Sequence, residues 1–304
     1  MMKLGASVWP FQWQPPYEEA IRRIAGLGFR AVELIAWDGE ALKRYYTRTR
    51  IRDLQALMGD LGVELSEFVS TAESYVHPEA SQREACLEHF RRVIDVAAAL
   101  GTKMINTVAP MPHGVRVPPL KQLPTAQIWT AEIPVGYDAR EAWERFVEMT
   151  GRVMEIVERA GMRYAMEAHP YRHVSSAASM LRLTDRVPSP ALGMNFDPSH
   201  MFPCGDMPQL AIRDLGERVF HCHFSDNDAL TNAHWRPGRG KIDWRAVLEA
   251  LRDVGFNGTI SIELEDVPGV ATPRQESTPA LDEEYRASRH YLRFVSEGLG
   301  IAWE

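Results

Sequence analysis

A chain of 304 residues, 45% hydrophobic and 25% charged, has the make-up of a globular protein with a sizeable core, and admits one large barrel or two ordinary domains. Its net charge of −7 argues against a nucleic-acid surface, which carries a basic stripe. No stretch approaches the ~20 apolar residues of a membrane span, so neither nucleic acid nor a membrane is an expected partner.

The N-terminal MMKLGASVWPFQWQPP is interrupted by Gly, Pro and Gln before a signal-like apolar run develops. The three cysteines, Cys86, Cys204 and Cys222, are odd in number and lack C-x-x-C spacing. A reducing cytoplasm is the expected location. Within this opening segment LGASVW (4–9) predicts a first strand. A phrase then recurs in which a helix-like segment closes on glycine and a strand follows: AGLGFRAVEL (25–34), GDLGVELSEF (59–68), AALGTKMINT (98–107), ERAGMRYAME (158–167) and RDVGFNGTISIE (252–263). Glycine tolerates the left-handed conformation that commonly ends helices. Apolar residues before those glycines keep helical spacing, as in Ile51, Leu54, Leu57, Met58 and Leu61, or Phe90, Val93, Ile94, Ala97 and Leu100. Phe146, Met149, Val153, Ile156, Val157 and Ala160 form another stripe, and Val247, Leu248 and Leu251 a shorter one. All predict helices packed on a sheet.

Four later strands carry the chemistry: RYAMEAH (163–169), ALGMNFD (191–197), VFHCHFS (219–225) and TISIELE (259–265). Successive side chains of a strand face opposite sides. Glu167 and His169 therefore oppose Tyr164, Met166 and Ala168, and Asp197 opposes Leu192, Met194 and Phe196. His221 and His223 oppose Phe220, Cys222 and Phe224, which makes Cys222 a packed thiol; Glu263 opposes Ile260, Ile262 and Leu264. Burying such polar groups without partners is costly. Their convergence on one divalent cation removes the cost. Three carboxylates (Glu167, Asp197, Glu263) and one imidazole (His223) suit Mn²⁺ first, then Mg²⁺ or Co²⁺, and Zn²⁺ remains open.

About eight strands alternating with helices predict a parallel sheet covered by helices. Polar residues at the C-terminal ends of several strands, with no G-x-G-x-x-G after the first, favour a closed (β/α)₈ TIM barrel spanning 1–304 as one domain. Long connections at 71–82, 109–138 and 265–284 follow strands and so fall on the active-site rim. The middle one, with Trp129 and Tyr137, predicts a lid.

GMNFDPSH, VFHCHFSDND, NAHWRPGRGKIDW (232–244) and TISIELED combine D-x-x-H, H-x-H, P-G-x-G-x-I-D-W and a late E-x-E. Together they resemble the xylose-isomerase-like barrel superfamily of sugar isomerases and epimerases over nearly the whole chain. The resemblance implies a (β/α)₈ fold and a single divalent ion on Glu167, Asp197, His223 and Glu263. In the superfamily's ketose 3-epimerases the glutamates matching Glu167 and Glu263 also shuttle protons. It implies a substrate contact near the carbonyl for His200, whose alternative is a partner for a ligand carboxylate. His234 stands where those epimerases carry arginine, and PSHMF after Asp197 departs from their pattern, so the substrate stays open. Arg236 either supplies the missing positive group or is solvated. His169, nearer the rim, is an expected substrate contact, as is His234; His221 packs deeper, and Glu33 faces the pore, where it can hold a hydroxyl. Trp9, Phe11 and Trp13 either wall a sugar ring or plug the barrel.

The expected activity is isomerisation or epimerisation of a keto sugar or polyol ketone through an enediolate, with Glu167 and Glu263 as the acid/base pair. A small carbohydrate is the expected partner, and a homo-oligomer is admitted. No phosphate loop stands out, which favours an unphosphorylated substrate. A lyase or dehydratase of a keto-glycoside or cyclic keto acid would begin with the same proton abstraction. A sugar-binding barrel without catalysis has little need of two proton-transfer carboxylates. An abasic-site endonuclease needs further histidines where this chain has Ser66, Glu67 and Asn106, and a D-x-H where it has Asn232 and His234.

Overall fold

The alternation of amphipathic helices and apolar strands closes into a barrel. The computed structural model describes residues 1–71, 74–117, 131–268 and 278–304. Eight parallel strands pair in chain order: β1 (Lys3–Ser7), β2 (Ala31–Ala36), β3 (Glu64–Ser70), β4 (Met104–Val108), β5 (Arg163–Glu167), β6 (Leu192–Phe196), β7 (Val219–Phe224) and β8 (Thr259–Ile262). The last hydrogen-bonds back to the first. Around them run α1 (Glu18–Gly26), α2 (Gly39–Arg44), α3 (Arg48–Leu61), α4 (Ala80–Leu100), α5 (Ala139–Arg159), α6 (Ala177–Arg186), α7 (Pro198–Met201), α8 (Pro208–Leu215), α9 (Trp244–Asp253) and α10 (Pro279–Ser296). This is the TIM barrel that the residue pattern predicts.

Helix boundaries follow from caps and stripes. Asp138 starts α5 by accepting from Arg140 N and Glu141 N, and Asp243 starts α9 by accepting from Ala246 N. Gly62 and Gly101 end α3 and α4 at φ 65° and 97°, where a side chain would be strained. Ile51, Leu54, Leu57 and Met58 are buried, as are all five residues of the α4 stripe. Ala160 is exposed instead, because α5 stops one residue before it.

The outer face of the sheet packs on the helices through apolar residues, whereas the lumen is polar. Ser7, Glu33, Glu67, Asn106, Asn195, His221, His223 and Ser261 are all buried. The strand ladders are shorter than the apolar runs of the sequence. β5 stops at Glu167, β6 at Phe196 and β8 at Ile262, so His169, Asp197 and Glu263 leave from C-terminal ends. That end of a parallel barrel is where loops assemble a site.

Of the expected rim loops, residues 72–73, 118–130 and 269–277 lie outside the described residues, and the lid with Trp129 falls there. The stems of the middle loop pair, Arg116 and Glu132 exchanging two backbone hydrogen bonds of 3.0 Å. Cys86, Cys204 and Cys222 are free thiols, with Cys222 buried as its parity predicts. Among the described residues no helix is long and apolar enough to cross a membrane.

Candidate active site

Glu167, Asp197, His223 and Glu263 each aim one ligand atom at a common centre; these four atoms lie within 4.8 Å of one another, and all four residues are buried. Their other atoms are occupied. Asp197 Oδ1 accepts from Ser199 N at 2.7 Å, capping α7, and Glu263 Oε1 accepts from Trp9 Nε1 at 2.7 Å. Asp197 Oδ2 and Glu263 Oε2 are left buried without a hydrogen-bond partner. Bare buried carboxylate oxygens are costly. Two of them converging beside Glu167 and His223 form the oxygen-rich, single-imidazole donor set of a divalent cation. The residues fit a metal.

His223 joins this cluster to a second one beneath it. Its Nδ1 lies 3.2 Å from Glu167 Oε1 and 3.1 Å from Glu263 Oε2. Its Nε2 lies 3.0 Å from Glu33 Oε2 and 3.4 Å from Glu67 Oε1. Burial opposes a charge on this ring, but Glu33, Glu167 and Glu263 outweigh burial and hold its pKa well above the usual value. With Nε2–H donated to Glu33, loss of the Nδ1 proton would free Nδ1 to bind a cation.

Glu33 also accepts from Ser7 Oγ at 2.8 Å and has His221 Nε2 at 3.2 Å. Burial pushes its pKa up, yet His223 and His221 bring it below the ordinary value. In Glu67 burial wins and Glu33 adds to it, so that carboxyl is raised. Asn106 Nδ2 donates to Glu67 Oε1 at 2.9 Å and reaches Glu167 Oε2 at 3.4 Å. His221 is packed as expected, its Nδ1 3.2 Å from Asn195 Oδ1.

Three histidines border the centre from above. His200 Nε2 is 3.7 Å from Asp197 Oδ2 and 3.8 Å from Glu167 Oε1. His234 Nε2 is 3.6 Å from Asp197 Oδ2 and 3.3 Å from His200 Nε2. The His169 ring lies 3.5 Å from that of His200, and its Nε2 is 3.6 Å from Glu167 Oε1. The Nδ1 atoms of His200 and His234 face the side-chain and backbone oxygens of Asn232 at 2.9 and 3.1 Å, so each carries a hydrogen. A single proton between the two Nε2 atoms then satisfies both. Burial pushes His200 well below the ordinary imidazole range. Burial would lower His234 too, but the Asp197 carboxylate raises it to about 9.

A cavity of about 200 Å³ lies over this cluster, lined by Trp9, His169, His200, His234 and both glutamates, Glu167 and Glu263. The aromatic residues after β1 divide their roles. Trp9 and Trp13 line the cavity, with Trp13 stacked on Trp37 at 4.3 Å, whereas Phe11 packs on Tyr285 at 4.5 Å. Arg236 is not brought to the cavity; its Nε lies 3.4 Å from Glu284 Oε2.

Asp226 and Asp266, which no sequence pattern singles out, and Asn232, which the sequence gives no role, also shape the site. Asp226 accepts from Gly238 N at 2.9 Å, Ile242 N at 3.2 Å and Trp244 Nε1 at 2.8 Å. It thereby ties P-G-x-G-x-I-D-W to the end of β7. A Cβ on Gly240 would sit 2.1 Å from the Asn227 carbonyl, so only glycine lets the loop close. Asp266 accepts from His234 N at 2.9 Å. The signal available was P-G-x-G-x-I-D-W (237–244) shortly after HFSDND (223–228), a motif with an unstated partner.

Known proteins place this geometry in context. The chain is 22% identical to the D-psicose 3-epimerase of Ruminiclostridium cellulolyticum over 260 residues, covering 84% of this chain and 80% of that protein. It is 23% identical to the fructoselysine 3-epimerase of Shigella flexneri over 279 residues, 90% of this chain and 93% of that protein. A shorter match, 26% over 150 residues, joins it to the inosose dehydratase of Lacticaseibacillus casei, 44% of this chain and 50% of that one. The crystal structure of the D-psicose 3-epimerase with D-tagatose from Clostridium cellulolyticum superposes with a TM-score of 0.76 at 21% identity, over 97% of this chain and 99% of that chain. The model of the xylose isomerase-like TIM barrel family matches residues 21–293, and the chain belongs to that family.

Proposed function

We propose that this protein is a divalent-metal-dependent isomerase or epimerase of a keto sugar or related polyol ketone, with Glu167 and Glu263 as its proton-transfer pair. An ion such as Mn²⁺, Mg²⁺, Co²⁺ or Zn²⁺, held by Glu167, Asp197, His223 and Glu263, would polarise the ketone and steady the charge that develops as a proton leaves. The observation that carries the reading is two buried glutamates beneath one small cavity, reaching it from strands three apart in the closed ring.

Burial alone would raise Glu167, but His223 and His169 beside it hold it well below the usual carboxylate range, so it is ionised and able to accept a proton. Glu263, oriented by Trp9 and reaching the cluster from the end of β8, would return one in its protonated form. Return to the opposite face of the same carbon inverts it, and return to the neighbouring carbon isomerises the sugar. The one proton between the Nε2 atoms of His200 and His234 can turn to an oxygen of the enediolate, while both Nδ1 hydrogens stay on Asn232.

Similarity to two 3-epimerases over most of the chain supports epimerisation. The half-length similarity to inosose dehydratase supports a second reading, loss of water after the same abstraction. Incubation of Mn²⁺-loaded protein with a panel of ketoses and polyol ketones in D₂O, followed by proton NMR, separates them. Deuterium beside the ketone with every hydroxyl retained supports the isomerase, and a new enone signal supports the dehydratase. Exchange undiminished in Glu263→Gln, or in protein dialysed against a chelator, would refute the assignment.

A further inference from the structure

The reaction cavity does not end at the histidines. A second compartment of about 450 Å³ adjoins it, the two sharing Trp37, Thr71, Val108 and His169 as lining residues. Its far side is lined by His77, His113 and Arg172. His77 and His113 are in ring contact at 4.5 Å, which joins the loop after β3 to the loop after β4.

Arg172 is held in place from its backbone. The turn after β5 is pinned by His169 N to Val174 O at 3.2 Å, Arg172 N to His169 O at 3.3 Å and His173 N to Pro110 O at 3.2 Å. The guanidinium makes one hydrogen bond among the described residues, from Nη1 to the Ala109 carbonyl at 3.2 Å. It has five N–H donors. Other arginines of this acidic chain lie against carboxylates, as Arg23 does with Asp282, Arg186 with Glu144 and Arg213 with Asp253. Arg172 makes no such close ion pair among the described residues; the Glu167 carboxylate acts on it only at longer range, and no carboxylate lines the compartment among the described residues. A half-buried guanidinium with free donors and two imidazoles, with no acid among the described lining residues, is a cradle for an anion.

We propose that this compartment receives an anionic group, a carboxylate or a phosphate, carried by the substrate at the end remote from its reacting carbons, with Arg172 as counter-ion. The inference rests on the proposed reaction only for which end of the substrate is called reacting. An arginine in a loop leaves no phosphate-loop motif, which is why the sequence pointed to an unphosphorylated substrate.

Calorimetric binding to Mn²⁺-loaded protein tests it without turnover, with D-fructose, D-fructose 6-phosphate and D-fructuronate as probes. One or both anionic sugars are expected to bind roughly ten- to a hundredfold more tightly than fructose, the favoured one identifying phosphate or carboxylate. That ratio is expected to collapse in Arg172→Met and to recover in part in Arg172→Lys. An anion held only by the metal would keep its advantage in Arg172→Met, and that result overturns the proposal. Equal binding of all three sugars by the unmodified protein also overturns it. Anion selectivity without hydrogen exchange in D₂O would leave the compartment standing and remove the isomerase reading.

Discussion

Replacing Glu33 with glutamine tests whether the lower cluster serves the upper one. Glu33 makes no contact with the cavity, yet its carboxylate is the nearest acceptor for His223 Nε2, at 3.0 Å against 3.4 Å for Glu67. It fixes the tautomer that frees Nδ1. Loss of such an outer partner weakens metal binding by roughly 10- to 100-fold, or about 1.4–2.7 kcal/mol. Glutamine keeps the shape and one acceptor but loses the charge, so Glu33→Gln falls near the tenfold end. Glu33→Ala, which also strands Ser7 Oγ and His221, falls near the hundredfold end. Titration with Mn²⁺, reading free ion by electron paramagnetic resonance, gives the affinity directly. A folded Glu33→Gln protein that binds Mn²⁺ within twofold of the unmodified chain would show that Glu33 does not position His223.

Metal uptake should strengthen as pH rises through neutrality and release a proton, because the His223 ring, held well above its usual pKa by three carboxylates, must surrender Nδ1–H; uptake independent of pH would contradict this. Asp226→Asn should lower stability by about 3 kcal/mol, since an amide cannot accept from all the donors Asp226 now serves, and urea denaturation measures it. His173, enclosed against Phe146 and near Arg145, has its pKa pushed down to about 4, chiefly by burial. The unfolded chain therefore binds a proton below about pH 6.5 that the folded chain refuses until about 4, and stability should fall as pH drops through that window. His173→Gln should flatten the acid limb; an unchanged slope between pH 6.5 and 4 would exclude His173 as its source.

Strand parity is a property of local covalent geometry, so the sidedness of Glu167, Asp197, His223 and Glu263 was readable from their own strands. Glycine-closed helices and the alternating pattern carried the barrel in the same way. The partners that orient those groups were not readable. Trp9 meets Glu263 across 254 residues of chain, and His223 meets Glu33 across 190. Asn232 faces His200 and His234 from a loop that has no period to extrapolate. Arg236, two residues beyond His234, turns to Glu284 instead of the cavity. Arg172, His77 and His113 come together from three separate loops. Which side a residue faces is set by its immediate neighbours, and the sequence alone determined it. Which residue it meets there depends on where eight tilted strands and their loops come to rest when the ring closes, and only the tertiary structure decided that.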